Sequence, residues 1–205
     1  VTGPGPNPTA GPNPTQPAPK GARGQKSVCV YCGSRPGIRP AYATAARATG
    51  RMLAANGWRL VYGAGDVGLM GEVARQAQAA GGETFGVIPT HLLSREVGKR
   101  DLSRFVITET MHERKKVMFM NADAVVVLPG GAGTLDEVFE VLTWRQLGLH
   151  AKPILLLNTE GYWAALKAMI DRIIAEGFAD ASLRDFVTSV EDVAALEDRL
   201  RAALS

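Results

Sequence analysis

The chain has 205 residues, 46% of them hydrophobic and 21% charged, which suits one globular domain with a substantial core. Its net charge of +3 resides near the N-terminus, where Lys20, Arg23 and Lys26 face no acid, so the other 20 basic and the 20 acidic side chains cancel. A neutral body excludes the broad basic face of a nucleic-acid polymer binder, and no apolar run approaches the roughly 20 residues of a membrane span. We therefore expect a cytoplasmic protein with neither nucleic acid nor membrane as partner.

Val1 to Lys26 carries seven of the twelve prolines among Gly, Asn and Thr, with almost nothing large to bury, so residues 1–26 read as a disordered or extended tail. They contain no apolar h-region of a secretory signal, and the start at Val leaves open a processed or unusual start. Residues 27–205 read as a single domain. Strands are expected at Val28 to Cys32, Arg59 to Tyr62, Thr84 to Ile88, Phe105 to Thr108, Ala124 to Leu128 and Ile154 to Leu157. Helices are expected at Pro40 to Ala55, Gly68 to Ala80, Met111 to Asn121, Thr134 to Leu149, Tyr162 to Glu176 and Val193 to Ala203. The strands are continuous apolar runs, as when both sheet faces are covered, and their alternation with helices predicts an α/β fold with a doubly wound parallel sheet in three α/β/α layers.

Cys29 and Cys32 form a CxxC inside the first strand. Residues three apart in a strand point to opposite faces and no second pair completes a metal site, so these read as reduced core thiols. After the second strand, Gly63, Gly65 and Gly68 spell GxGxxG, and Glu83 stands about where a ribose-binding acid would be sought in a dinucleotide fold. The motif follows the second strand and not the first, so we prefer a turn that brings backbone up to a pocket. Ligands of such sheets bind beyond the carboxyl ends of the strands, and Gly33 to Pro36, Gly63 to Gly68 and Pro129 to Glu137 should share that rim.

In Pro129-Gly130-Gly131-Ala132-Gly133-Thr134-Leu135-Asp136-Glu137, three glycines after a strand let backbone N–H groups converge, and a helix start adds unpaired donors. A phosphate fits there without lysine. Glu137, one turn on, could contact whatever the phosphate carries. Equally, Thr134 and Glu137 have the spacing of a capping box, with Thr134 as N-cap. On the preceding helix Arg114 and Lys115 project on the side of the apolar stripe of Met111, Met118 and Phe119. They either snorkel to water or face a pocket that holds an anion.

The stretch MHERKxxM at 111–118, with PGGxGTxxE at 129–137 and Thr143 to Pro153 following, resembles the LOG (lonely guy) family of cytokinin riboside 5'-monophosphate phosphoribohydrolases, long labelled lysine decarboxylases. The resemblance runs from about Ser27 to Phe178 and includes Tyr31 to Ser34, Val61 to Gly63, Gly68 to Gly71, and Gly177-Phe178 after a helix with Asp171. It implies a Rossmann-like homodimer that cleaves the N-glycosidic bond of AMP or N6-substituted AMP, giving free base and ribose 5-phosphate; we expect no cofactor, and no metal because the histidines are scattered without ligand spacing. It puts the catalytic pair on Arg114 and Glu137. Substrate contacts fall on Glu96, Lys115, Gly130, Gly131, Ala132, Gly133, Thr134, Leu135, Asp136 and Thr143. Ala64 departs from the family by replacing the middle glycine of a GGG turn.

The main rival is a non-catalytic Rossmann-like protein that holds a nucleotide or pterin cofactor on the same turn. The co-occurrence of Arg114 with Glu137 favours the enzyme. A lysine decarboxylase is disfavoured because no lysine stands in a recognisable Schiff-base context, and a single-stranded DNA binder because the body is neutral. His91, His112 and His150 lack ligand spacing, and Trp144 and Trp163 read as packing or dimer-contact residues.

Overall fold

The computed structural model describes residues 24–93 and 101–205. Glu96 and all but the last three residues of the expected tail lie outside them. Seven parallel strands form one sheet in the order β4-β3-β2-β1-β5-β6-β7: β1 Ser27–Tyr31, β2 Arg59–Tyr62, β3 Thr84–Pro89, β4 Arg104–Thr108, β5 Ala124–Val127, β6 Ile154–Leu157 and β7 Thr188–Val190. Six α-helices alternate with them: α1 Pro40–Ala55, α2 Gly68–Ala79, α3 Met111–Met120, α4 Ala132–Gln146, α5 Ala164–Ala175 and α6 Val193–Leu204. The doubly wound α/β expectation holds. Strand order reverses between β1 and β5, whose following loops must diverge and leave a crevice at the carboxyl rim.

Alternate strand residues feed two separate cores. Val28, Val30, Leu60, Tyr62, Val126 and Leu155 pack beneath α1, α2 and α6, while Cys29, Tyr31, Val61, Val125, Val127 and Leu156 pack beneath α3, α4 and α5. This places Cys29 and Cys32 on opposite faces, each among apolar side chains. Burial above all, and then the Glu137 carboxylate, pushes both thiols far above the ordinary range, so neither is a ready thiolate. Continuous apolar runs belong to the inner strands; at the edge, β4 leaves Ile107 54% exposed. The other edge strand, β7, was not anticipated, because Thr-Ser-Val is too short and polar to stand out.

Two boundaries change the reading of the rim. Helix α4 starts at Ala132 with Gly131 as N-cap, so Thr134 is a helical residue that caps nothing, and the expected Thr134–Glu137 capping box does not form. The box forms instead on α3. Thr110 Oγ1 accepts from Glu113 N–H at 3.2 Å and the Glu113 carboxylate accepts from Thr110 N–H at 3.4 Å. Helix α5 starts at Ala164 and not at Tyr162. A one-turn 3-10 helix at Thr159–Gly161 precedes it, with Glu160 and Gly161 at φ 52° and 74°. No helix among the described residues is long and apolar enough to cross a membrane.

Candidate active site at the strand-order reversal

A cleft of about 520 Å³ opens between the loops that follow β1 and β5. The two loops are sewn together beneath it: Gly33 N–H donates to Pro129 C=O at 3.0 Å. Gly130 has no room for a side chain, since a Cβ there would collide with Thr134 Oγ1 and crowd the Gly33 amide. Gly131 and Gly133 are the opposite case. A methyl on either would meet nothing within 4 Å, and both residues are exposed with Ala132 between them. The first-turn amides of α4 have no acceptor within the helix, so an open, partly positive backbone surface faces the cleft.

The GxGxxG turn after β2 shares the rim but does not offer such a surface. Its helix start is already occupied, because Leu69 and Met70 N–H donate to Gly33 C=O at 3.1 and 3.3 Å. Gly68 sits at φ +60° against the backbone of Ser34 and Arg35. Asp66 pairs with Arg75 at 2.8 Å, so this part of the turn is also taken up by protein contacts. Glu83 stands immediately before β3, whose Thr84 is in register with Leu60, so it lies at the amino edge of the sheet, away from this turn. The dinucleotide reading therefore loses both its donors and its acid. Ala64, buried at φ 57°, holds the left-handed conformation that glycine adopts more easily.

Arg114 and Lys115 are both 4% exposed, so neither snorkels. The capping box starts α3 at a point that turns this pair inward, and the two then diverge. Arg114 donates from Nε to Val87 C=O at 3.1 Å and from Nη2 to Gly63 C=O at 2.6 Å, which ties it to the carboxyl ends of β3 and β2, and its side chain lines the cleft. Gly63 is glycine for this reason: a Cβ would occupy the guanidinium's place. Lys115 instead reaches α4, with Nζ 2.9 Å from Asp136 Oδ2 and 3.2 Å from Glu140 Oε1. Burial works against its charge, but the two carboxylates prevail and hold the ammonium above its ordinary range.

Of the expected site residues, Arg114, Gly130, Gly131, Ala132, Gly133, Thr134, Asp136 and Glu137 line the cleft together. Glu137 projects from the second turn of α4, and its charge and that of Arg114 act in opposite senses on the Cys32 thiol at the cleft floor. Lys115, Leu135 and Thr143 are not in the lining: Lys115 joins two helices, Leu135 packs on the core, and Thr143 is exposed with its hydroxyl donating to Phe139 C=O at 2.7 Å. Sequence reasoning missed Tyr162 and Tyr42, which form one wall. The available signal for Tyr162 was its place in the loop after β6, since every such loop of a parallel sheet emerges on the same rim. Among the described residues, no lysine lines the cleft.

Residues 70–200 match the family described as "possible lysine decarboxylase". A probable cytokinin riboside 5'-monophosphate phosphoribohydrolase of Oryza sativa subsp. japonica is 46% identical over 175 residues, which cover 85% of this chain and 77% of that protein. A cytokinin riboside 5'-monophosphate phosphoribohydrolase of Arabidopsis thaliana is 42% identical over 175 residues, covering 85% and 81%. In architecture the chain is similar to the molybdenum cofactor carrier protein of Chlamydomonas reinhardtii, with a TM-score of 0.67 at 23% identity over 88% of this chain and 98% of the other.

Proposed function

We propose, since this chain belongs to the LOG family of cytokinin riboside 5'-monophosphate phosphoribohydrolases, that it hydrolyses the N-glycosidic bond of AMP-type nucleotides, N6-substituted or not. Water is added across the C1'–N9 bond, giving ribose 5-phosphate and the free base. One observation carries this reading: the open N-terminal turn of α4 shares a single cleft with Arg114 and Glu137. In this reading the amides of Gly131, Gly133 and Thr134 take the phosphate and so hold the ribose in one place. Glu137 faces the anomeric carbon, where its carboxylate stabilises the developing oxocarbenium charge and orients water or the ribose hydroxyls. Arg114, fixed by two strand-end carbonyls, offers a guanidinium whose position costs no reorganisation on binding. Asp136 leans to Lys115, which limits its repulsion of a phosphate.

The test is incubation with AMP and with isopentenyl-AMP, with assay of ribose 5-phosphate and free base. Glu137→Gln should lower kcat by about 100- to 1,000-fold, the scale for removal of a stabilising group in the transition state, while the fold survives. Undiminished turnover in that variant would sink the assignment, and nucleotide binding without product in the wild type would favour the non-catalytic binding protein. We extend the reading to a cytoplasmic homodimer. Exposed Met120, Phe139, Leu147 and Leu149 on and after α3 and α4 support the dimer, and light scattering in solution tests it.

A further inference from the structure

We propose that Tyr162 is a positioning residue that orients the phosphate-binding turn through a hydrogen bond to its backbone; the inference rests on the hydrolase reading above. The Tyr162 hydroxyl donates to Gly130 C=O at 2.6 Å. The Cα of Gly130 is already wedged between Thr134 Oγ1 and Gly33. A glycine–glycine linkage, however, rotates with little steric resistance about the bonds on either side of its peptide plane. The bond from Tyr162 removes that freedom. Because a trans peptide directs its C=O and N–H to opposite sides, fixing the Gly130 oxygen towards Tyr162 fixes the Gly131 N–H on the other side, among the open amides of the α4 start.

The tyrosine is itself held firmly. The left-handed pair Glu160 and Gly161 turns the chain so that Tyr162 leaves the loop towards Gly130 before α5 begins. Its ring meets Tyr42 edge-on at 5.6 Å and Trp163 at 4.8 Å. The Arg39–Glu160 pair, 2.7 Å apart, closes the same junction from the start of α1. One hydroxyl thus connects the loop after β6 to the glycine pair after β5 and passes the rigidity of this junction to a linkage that has no side chains of its own. The hydrogen bond acts on the peptide that receives phosphate and not on the base, so its loss should be felt by the phosphate half of the ligand alone.

The experiment compares wild type with Tyr162→Phe, which keeps the ring contacts and removes the hydroxyl. Titration calorimetry uses ribose 5-phosphate and adenosine as separate probes, steady-state kinetics uses AMP, and the Gly131 amide resonance is recorded without ligand. The expected result is roughly fivefold weaker ribose 5-phosphate binding, as for loss of one neutral hydrogen bond. Adenosine binding should be unchanged, KM for AMP raised with kcat nearly constant, and the Gly131 resonance displaced. A variant that keeps wild-type ribose 5-phosphate affinity, or loses both probes by the same factor, overturns this inference and leaves the hydrolase reading standing. A wild-type protein that does not bind ribose 5-phosphate overturns both.

Discussion

The two glycine-rich turns on the carboxyl rim look alike as strings of residues and serve opposite purposes. In Gly63 to Gly68 the glycines make room for protein: the Arg114 guanidinium fills the space beside Gly63, and the Ser34 backbone fills that beside Gly68. In Gly130 to Gly133 only the first glycine is packed, and the other two face open space at a helix start. The amides after the first turn are spent on Gly33 C=O, whereas the first-turn amides of α4 have no acceptor in their helix. A glycine motif therefore signals close approach, and what approaches is decided by whether protein already occupies the space.

Substitutions at matched positions test this contrast. Gly68→Ala should be the most damaging, because its Cβ meets backbone and its φ of +60° strains any L side chain. A loss of about 3 kcal/mol is expected in denaturant unfolding, and a loss under about 1 kcal/mol would show that the turn is not closed. Gly131→Ala should be nearly neutral in the same measurement, since its φ of −91° suits any residue. It should weaken ribose 5-phosphate binding by about tenfold, as the methyl intrudes where the anion approaches; this corresponds to about 1.4 kcal/mol. If Gly131→Ala instead costs several kcal/mol in unfolding while the folded variant keeps wild-type ribose 5-phosphate affinity, the roles of the two turns have been exchanged.

The smallest effect is expected away from both turns, at His150, which sets a baseline for changes that spare the cleft. Its Nε2 lies 2.8 Å from Val141 C=O and its Nδ1 accepts from Lys152 N–H at 3.1 Å, so both nitrogens are satisfied by the neutral ring. Burial first, and then the charges of Arg145 and Lys152, push its pKa below the ordinary 6.5 despite the Val141 bond. The unfolded chain then holds more protons in the interval below 6.5. Stability contributed by the neutral ring is present above 6.5 and is lost as pH falls through the lowered folded value. Melting temperature should decline modestly over that interval, and His150→Asn should remove this component without altering the pH dependence of ribose 5-phosphate binding.

Much of the site was legible in the chain. The spacing of Met111, Arg114, Lys115 and Met118 put both cations on the inward face of α3, and the glycines after β5 marked the turn that stays open at the cleft. The capping box was misplaced because a threonine followed three residues later by a glutamate also occurs inside a helix. Only the non-helical backbone at Gly131 and Thr110 shows where α4 and α3 begin. Tyr162 was hidden because its partner is a backbone carbonyl 32 residues away, and no local pattern encodes that contact.

The sequence by itself determined the α/β alternation and the rim at which the loops after the strands gather, because these follow from periodicity and chain direction, and its motifs singled out Arg114 and Glu137 as the candidate pair that the cleft brings together. Tertiary structure decided which glycine turn stays open, which of two adjacent buried cations reaches the cleft, and that a tyrosine holds the turn. Those outcomes depend on which distant atoms occupy a space first, and occupancy of space is a property of the packed molecule and not of any local segment.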